Sequence, residues 1–318
     1  MAAKLLVLEN GKAVERPPED LSERRDRPAW LDVWQPQEAD LRLLQEELDL
    51  HPLAIEDAVQ KRERPKIEQF EKHYFIVFYA IDEPEPDVIR MHQVALFVLA
   101  NAVVTVRGED FAARAEVEKR FREGRLQTSG LVLHALLDTI VDGYFGVVDG
   151  FGDRVELLES MILEGRRTKD YETTLRELFE LKRDLVRLRQ VIAPEREVLQ
   201  VLTRGDIEEL REPGRRLYFQ DVYDHIVRAV EEIDTFRDLT SNVIDAQLAA
   251  ASNRLNEVMK VLTAVATILL VLSVVTSFFG MNFDFLPFGS PPVFWAVMVA
   301  TVAASVALFM WFRARDWI

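Results

Sequence analysis

Between residues 261 and 312 the chain runs for 52 residues with a single charge, Asp284. A hydrocarbon core about 30 Å thick is crossed by about 20 apolar residues in a helix. Two runs of that kind are present, 261–279 and 293–312. Between them lie Gly280-Met281-Asn282-Phe283-Asp284 and then Pro287, Gly289, Pro291 and Pro292, a polar break rich in helix terminators. The pattern predicts two transmembrane helices joined as a hairpin, with a large soluble region in front of them.

Charge sets the orientation. Arg254 and Lys260 precede the first run, Arg313 and Arg315 follow the second, and the loop has no Lys or Arg. This places both ends in the cytoplasm. The N-terminal residues hold no apolar run of signal-peptide length, so residues 1–260 are expected to stay there, in a prokaryotic plasma (inner) membrane protein. No cysteine is present, which fits a reducing compartment and removes thiolate sites. His51, His73, His92, His134 and His225 show no zinc-site spacing. Asp284 and Asp316 cancel Arg313 and Arg315, so the whole net charge of −15 sits on the first 260 residues. Such acidity argues against nucleic acid as a partner and favours attraction of cations, divalent ones included. No phosphate-binding Gly-rich loop or catalytic constellation appears, so neither an enzyme nor an ATP-driven pump is expected.

Residues 1–127 read as a cytoplasmic α/β domain. Its β-rich runs are 4–8, 30–34, 74–80, 94–99 and 102–106, flanked by turn residues. Helical patterns lie at 37–47, 52–60 and 110–123, the last closed by Gly124. Residues 128–213 turn to long helices, 131–163 and 171–202, expected as an antiparallel pair with a kink at Pro194. Residues 214–279 contain no Gly or Pro after Gly214. They predict one stalk helix of about 100 Å that continues into the first span, with a break near 249–252 as the alternative. A loop at 280–292, the second span at 293–312 and a short tail at 313–318 complete the chain.

Two spans cannot enclose a pore, so a pore requires several copies. Read in sevens, the first span carries Asn256, Thr263, Leu270 and Ser277 at one register, and Met259, Ala266, Ser273 and Gly280 at the other, with Leu262 bordering them. A small and polar seam on an apolar helix suits close helix packing or a wet lumen. Met259, Leu262 and Leu270 would form apolar collars able to gate by closure or dewetting. Asp224, Glu231, Asp238 and Asp245 extend the same heptad spacing into the cytoplasm. Asp245, nearest the membrane, is the strongest candidate there for ion contact at the cytoplasmic pore entrance.

At the end of the first span Gly280 can terminate the helix, and Asn282 offers a neutral amide oxygen. Oxygen donors suit Mg2+, which gives up its water reluctantly. Gly280-Met281-Asn282 between two C-terminal spans resembles the CorA family of magnesium/cobalt channels. The resemblance extends to 51–57 (HPLAIED), 64–66 (RPK), 74–77 (YFIV), 221–225 (DVYDH), 235–238 (TFRD) and 256–263 (NEVMKVLT).

The resemblance implies a funnel-shaped homopentamer, passive uptake of Mg2+ and also Co2+, and closure by intracellular Mg2+. It implies Gly280, Met281 and Asn282 as the selectivity mouth. It further implies Asp57 and Asp221, with Glu56 nearby, as a regulatory divalent site between neighbouring cytoplasmic domains. Phe279 stands where a tyrosine is usual, Val271 where some members have proline, and Gly143 where a second acid often follows Asp142. A zinc transporter of the same superfamily, proton-coupled in some members, is the main alternative; the intact Met281 argues against it. A membrane-anchored sensor or scaffold is the alternative from another class.

Overall fold

The computed structural model describes residues 3–24, 26–60, 63–85, 88–163, 171–205, 207, 215–281 and 290–318. It divides into two compact units, Met1–Ser241 and Asn242–Ile318.

The first unit is built on a seven-stranded sheet. β1 (Ala3–Glu9) and β2 (Lys12–Arg16) form a hairpin, followed by a short 3-10 helix (Pro18–Arg24) and β3 (Ala29–Trp34). The helices α1 (Glu38–Leu48) and α2 (Pro52–Val59) lead to β4 (Lys66–Gln69), β5 (Tyr74–Glu85), β6 (Val88–Val98) and β7 (Ala102–Arg107). The order across the sheet is β2-β1-β3-β7-β6-β5-β4. β3 and β7 run parallel, with Leu31 opposite Val104 and Asp32 opposite Thr105; the other neighbours are antiparallel. All six residues of β7 are buried, as expected of a strand covered on both faces.

All five strand runs and all three short helices expected from the sequence are present. β2 and β4 are additional. The β1–β2 turn is Asn10-Gly11 with φ of 51 and 77, the left-handed pair that a two-residue hairpin needs. Gly124 has φ +72, and a Cβ there would lie 2.2 Å from the Gly11 carbonyl oxygen. Glycine at 124 therefore both ends α3 (Ala112–Arg122) and lets it approach the hairpin turn.

A buried ion pair ties β3 to β7. Arg107 donates to Asp32 through Nε (3.0 Å) and Nη2 (2.9 Å), Thr105 Oγ1 donates to Asp32 Oδ1 at 2.7 Å, and Trp30 Nε1 donates to Thr105 at 3.3 Å. Asp32 and Arg107 are 4% and 7% exposed. Removing one member of such a pair strands the other in a poor solvent.

Three long helices follow: α4 (Ser129–Leu163), α5 (Tyr171–Arg204) and α6 (Arg215–Phe279), then α7 (Pro291–Ala314). α5 passes through Pro194 without ending. α6 is one helix of 65 residues with no break at 249–252. Composition and length alone make α4, α6 and α7 all able to cross a membrane, yet 56% of the most apolar window of α4 is buried, against 6% and 0% in the other two. α4 places Leu133, Leu136, Leu137, Ile140 and Tyr144 in the core of the first unit, so its apolar surface is already used. In the second unit Leu262, Leu269, Val274, Trp295, Val299 and Val302 stay more than half exposed, surface that hydrocarbon can cover. Along the part of α6 in the first unit, Phe219, Val222, Ile226, Ala229 and Ile233 are buried at spacings of three and four, the amphipathic pattern of a helix with one packed face.

Asp32→Ala is expected to lower stability by about 3 kcal/mol. This is the low end of the range for a broken buried pair, because Asp110 also reaches Arg107 at 3.3 Å. Thermal unfolding of the two proteins, side by side, measures it.

Candidate metal sites

α2 presents the first pair of expected site residues. Pro52 occupies its first turn and His51 caps it, with Nδ1 accepting from the Leu53 amide at 3.2 Å. Ala54, Ile55 and Ala58 face the core, so Glu56 and Asp57 are turned outward. Asp57 is not bare: Lys66 Nζ donates to its Oδ2 at 2.7 Å and to Glu68 at 3.0 Å. Glu56 accepts from Gln60 Nε2 at 3.1 Å. The cap is held by a stack in which His51 lies 4.7 Å from Phe70, and Phe70 lies 5.1 Å from His73.

Asp221 is exposed on α6. Among the described residues it forms no shared carboxylate cluster with Asp57. What the tertiary structure does bring together is Asp138, Asp142 and His225, whose ligand atoms all lie within 4.8 Å of one another. Asp138 and Asp142 sit one turn apart on α4, a spacing that puts both on one face. His225 comes from α6, one turn beyond Asp221, with Nδ1 3.3 Å from Asp142 Oδ1. Phe145 meets the His225 ring edge-on at 5.9 Å. Burial, with Asp142 adding to it, pushes the Asp138 carboxyl above its ordinary range; burial likewise pulls His134 down, although Asp138 and Asp221 oppose the shift. Two carboxylates and one imidazole form a donor set for a divalent cation, and the imidazole favours Co2+ over Mg2+.

The histidine spacing in the sequence showed nothing of this, because His225 reaches the α4 acids only through packing. The one local signal was the Asp138/Asp142 spacing.

In the second unit the expected pore stripe is exposed throughout: Asn256, Met259, Leu262, Thr263, Ala266, Leu270, Ser273 and Ser277 all face out of the single chain. So do Val261, Val265 and Leu269, so exposure alone does not single out the stripe. The Thr263 hydroxyl donates back to the Met259 carbonyl at 2.7 Å, which satisfies it without a partner helix. Asp245 is exposed, while Asp238 is paired with Arg237 at 2.9 Å. α6 closes at Gly280, whose amide donates to the carbonyls of Thr276 (2.9 Å) and Ser277 (3.2 Å), and Met281 is half exposed beyond it. Asn282 and the loop through residue 289 lie outside the described residues.

The sequence model of the CorA-like Mg2+ transporter protein family matches residues 26–314. The chain belongs to that family. The cobalt/magnesium transport protein CorA of Thermotoga maritima is 32% identical over 303 residues, covering 92% of this chain and 84% of that one. The protein of the same name from Methanocaldococcus jannaschii is 25% identical over the full length of both. Its complete structure superimposes with a TM-score of 0.85 at 23% identity, covering 100% of this chain and 99% of that one. The CorA fold therefore extends over the whole chain: an α/β domain, long helices and two C-terminal apolar helices, in a membrane transporter and not an enzyme.

The His51–Phe70–His73 stack generates a pH expectation. His73 is 2% exposed and neither ring nitrogen has a hydrogen-bond partner. Burial, helped by His51, pulls its pKa from 6.5 down to about 4. The folded form holds it neutral, so its contribution is complete above about 6.5 and is lost as pH falls toward about 4. Melting temperatures recorded across that window should fall for the wild type and fall less for His73→Phe.

Proposed function

We propose that this chain assembles as a homopentameric channel for passive entry of Mg2+, and of Co2+, closed by intracellular divalent cations. The observation that carries the reading is the unbroken α6. A single helix bears Asp221 and His225 in its cytoplasmic part and Met259, Leu262, Leu270 and Gly280 in its membrane part. Such a helix offers a continuous hydrogen-bonded backbone along which a movement at one end would be felt at the other.

In the assembled channel, Asp57 and Glu56 of one copy would face Asp221 of the next. Without bound cation these acids repel and loosen the ring; a divalent ion bridges them and holds it shut. The Asp138/Asp142/His225 cluster adds a donor set whose His225 lies one turn beyond Asp221 on α6. Met259, Leu262 and Leu270 would close the lumen as apolar collars, with Asn256, Thr263, Ala266, Ser273 and Ser277 lining it between them. Asp245 would concentrate cations at the cytoplasmic entrance, and Gly280, Met281 and Asn282 would select at the outer mouth through neutral oxygens. The potential alone drives entry: a divalent ion crossing −100 mV gains about 4.6 kcal/mol, twice the value per elementary charge.

Uptake into liposomes holding the purified protein tests the reading. Mg2+ entry driven by potential and suppressed by internal Mg2+ is expected. Zn2+ entry that follows a pH gradient, without Mg2+ entry, would assign the protein to zinc transport instead. In the same assay Asn282→Ala should abolish Mg2+ uptake while the oligomer stays intact on size exclusion. The double variant Asp57→Ala/Asp221→Ala should keep uptake and lose inhibition at millimolar internal Mg2+; normal inhibition would place the sensor elsewhere.

A further inference from the structure

Glu195, on α5, is 0% exposed and directly follows Pro194. Its carboxyl is surrounded by a closed set of hydrogen bonds whose protons can be counted. The Tyr79 amide donates to Glu195 Oε1 at 2.7 Å. The Tyr144 hydroxyl, from α4, lies 2.8 Å from Glu195 Oε2 and also donates to the Tyr79 carbonyl. A tyrosine hydroxyl has one hydrogen. With that hydrogen on the Tyr79 carbonyl, the contact between Tyr144 and Glu195 holds only if the carboxyl is the donor.

Every atom is then satisfied in one ring: Tyr79 N–H to Glu195 Oε1, Glu195 Oε2–H to Tyr144 Oη, and Tyr144 Oη–H to Tyr79 C=O. An ionised carboxylate breaks the ring. Tyr144 must then turn its hydrogen to Glu195, the Tyr79 carbonyl loses this donor, and a charge is left in the core with no cation paired to it among the described residues.

The location explains what the ring does. β4 begins at Lys66, opposite Val77 of β5. Tyr79 lies two residues further along β5, past the end of β4, where among the described residues no strand offers a backbone partner on that side. The ring supplies that partner from side chains of α4 and α5. The Tyr79 hydroxyl closes the same edge by donating to the Glu63 carbonyl at 2.7 Å.

We infer that Glu195 carries a proton in the folded protein at neutral pH, and that this proton is the latch holding α4 and α5 to the open edge of β5. Its surroundings agree. Burial pushes the Glu195 carboxyl well above the ordinary carboxylate range, and the bonds from Tyr144 and Tyr79 only partly oppose this. The nearest cation on β4, Lys66, is engaged by Asp57 and Glu68. On α5 itself Arg196 and Glu197 are exposed; on α4 the acid nearest Tyr144 in sequence, Asp142, is exposed and lies with His225. The sign follows: an acid whose folded pKa is raised contributes fully below its ordinary value of about 4.5. That stability is lost as pH rises toward the folded value.

The test uses the full-length protein in detergent. The infrared difference between wild type and Glu195→Gln at pH 7 should show the carbonyl stretch of a protonated carboxyl, lost in the variant; loss of a carboxylate band instead would overturn the assignment. Gln reproduces the ring with its amide as donor to Tyr144. The wild type should therefore lose stability relative to Glu195→Gln as pH rises from 6 to 9, by up to about tenfold in the folding constant per pH unit. A difference independent of pH would overturn the latch. If Glu195→Gln does not fold, isotope-labelled glutamate in the wild type yields the same reading: a protonated band at neutral pH supports it and its absence refutes it.

Discussion

Backbone hydrogen bonding along α6 is the constraint on which the rest depends. A chain that enters hydrocarbon must carry its own N–H and C=O partners with it, and a continuous helix does so residue by residue. The same 65-residue helix meets two solvents without a change of backbone. Over Phe219, Val222, Ile226, Ala229 and Ile233 it buries one stripe against protein; from residue 261 to its end it carries no charge. Glycine or proline in between would introduce a hinge, and none occurs until Gly280.

Buried polar groups organise the first unit in two ways. Asp32 and Arg107 are opposite charges joined across the parallel β3–β7 step, where no hairpin turn enforces pairing, and Thr105 and Trp30 complete their hydrogen bonds. Glu195, in contrast, meets no cation among the described residues and is accommodated by neutralisation, with Tyr144 and Tyr79 arranged to take and return a single proton. Both are satisfied polar networks in a low-dielectric interior, reached by opposite electrostatic routes.

The elements that escaped the sequence reading are instructive. β2 and β4 are short and charged, Lys12–Arg16 and Lys66–Gln69, at the two edges of the sheet. Edge strands carry charge to resist pairing with other chains, which erases the apolar signature that revealed the inner strands. The Asn10-Gly11 turn that joins β1 to β2 emerges only in the structure, with both residues at positive φ. Glu56, Asp57 and Asp221 stand outward on their helices, a placement compatible with the site that family resemblance implies, whereas Asp57 proves to be paired with Lys66.

The sequence by itself determined what depends on neighbours along the chain: the inner strands, the length of α6, the two apolar runs and the Gly280 helix end. These follow from periodicity and backbone preference, which are local. Only the tertiary structure showed what covers each apolar helix, with 56% of the most apolar window of α4 buried against 6% and 0% in α6 and α7. It alone joined Asp138 and Asp142 to His225 and Glu195 to Tyr144 and Tyr79. Residues that far apart in the chain meet only when the core between them has formed, and no local pattern records which acid will find an imidazole and which a tyrosine.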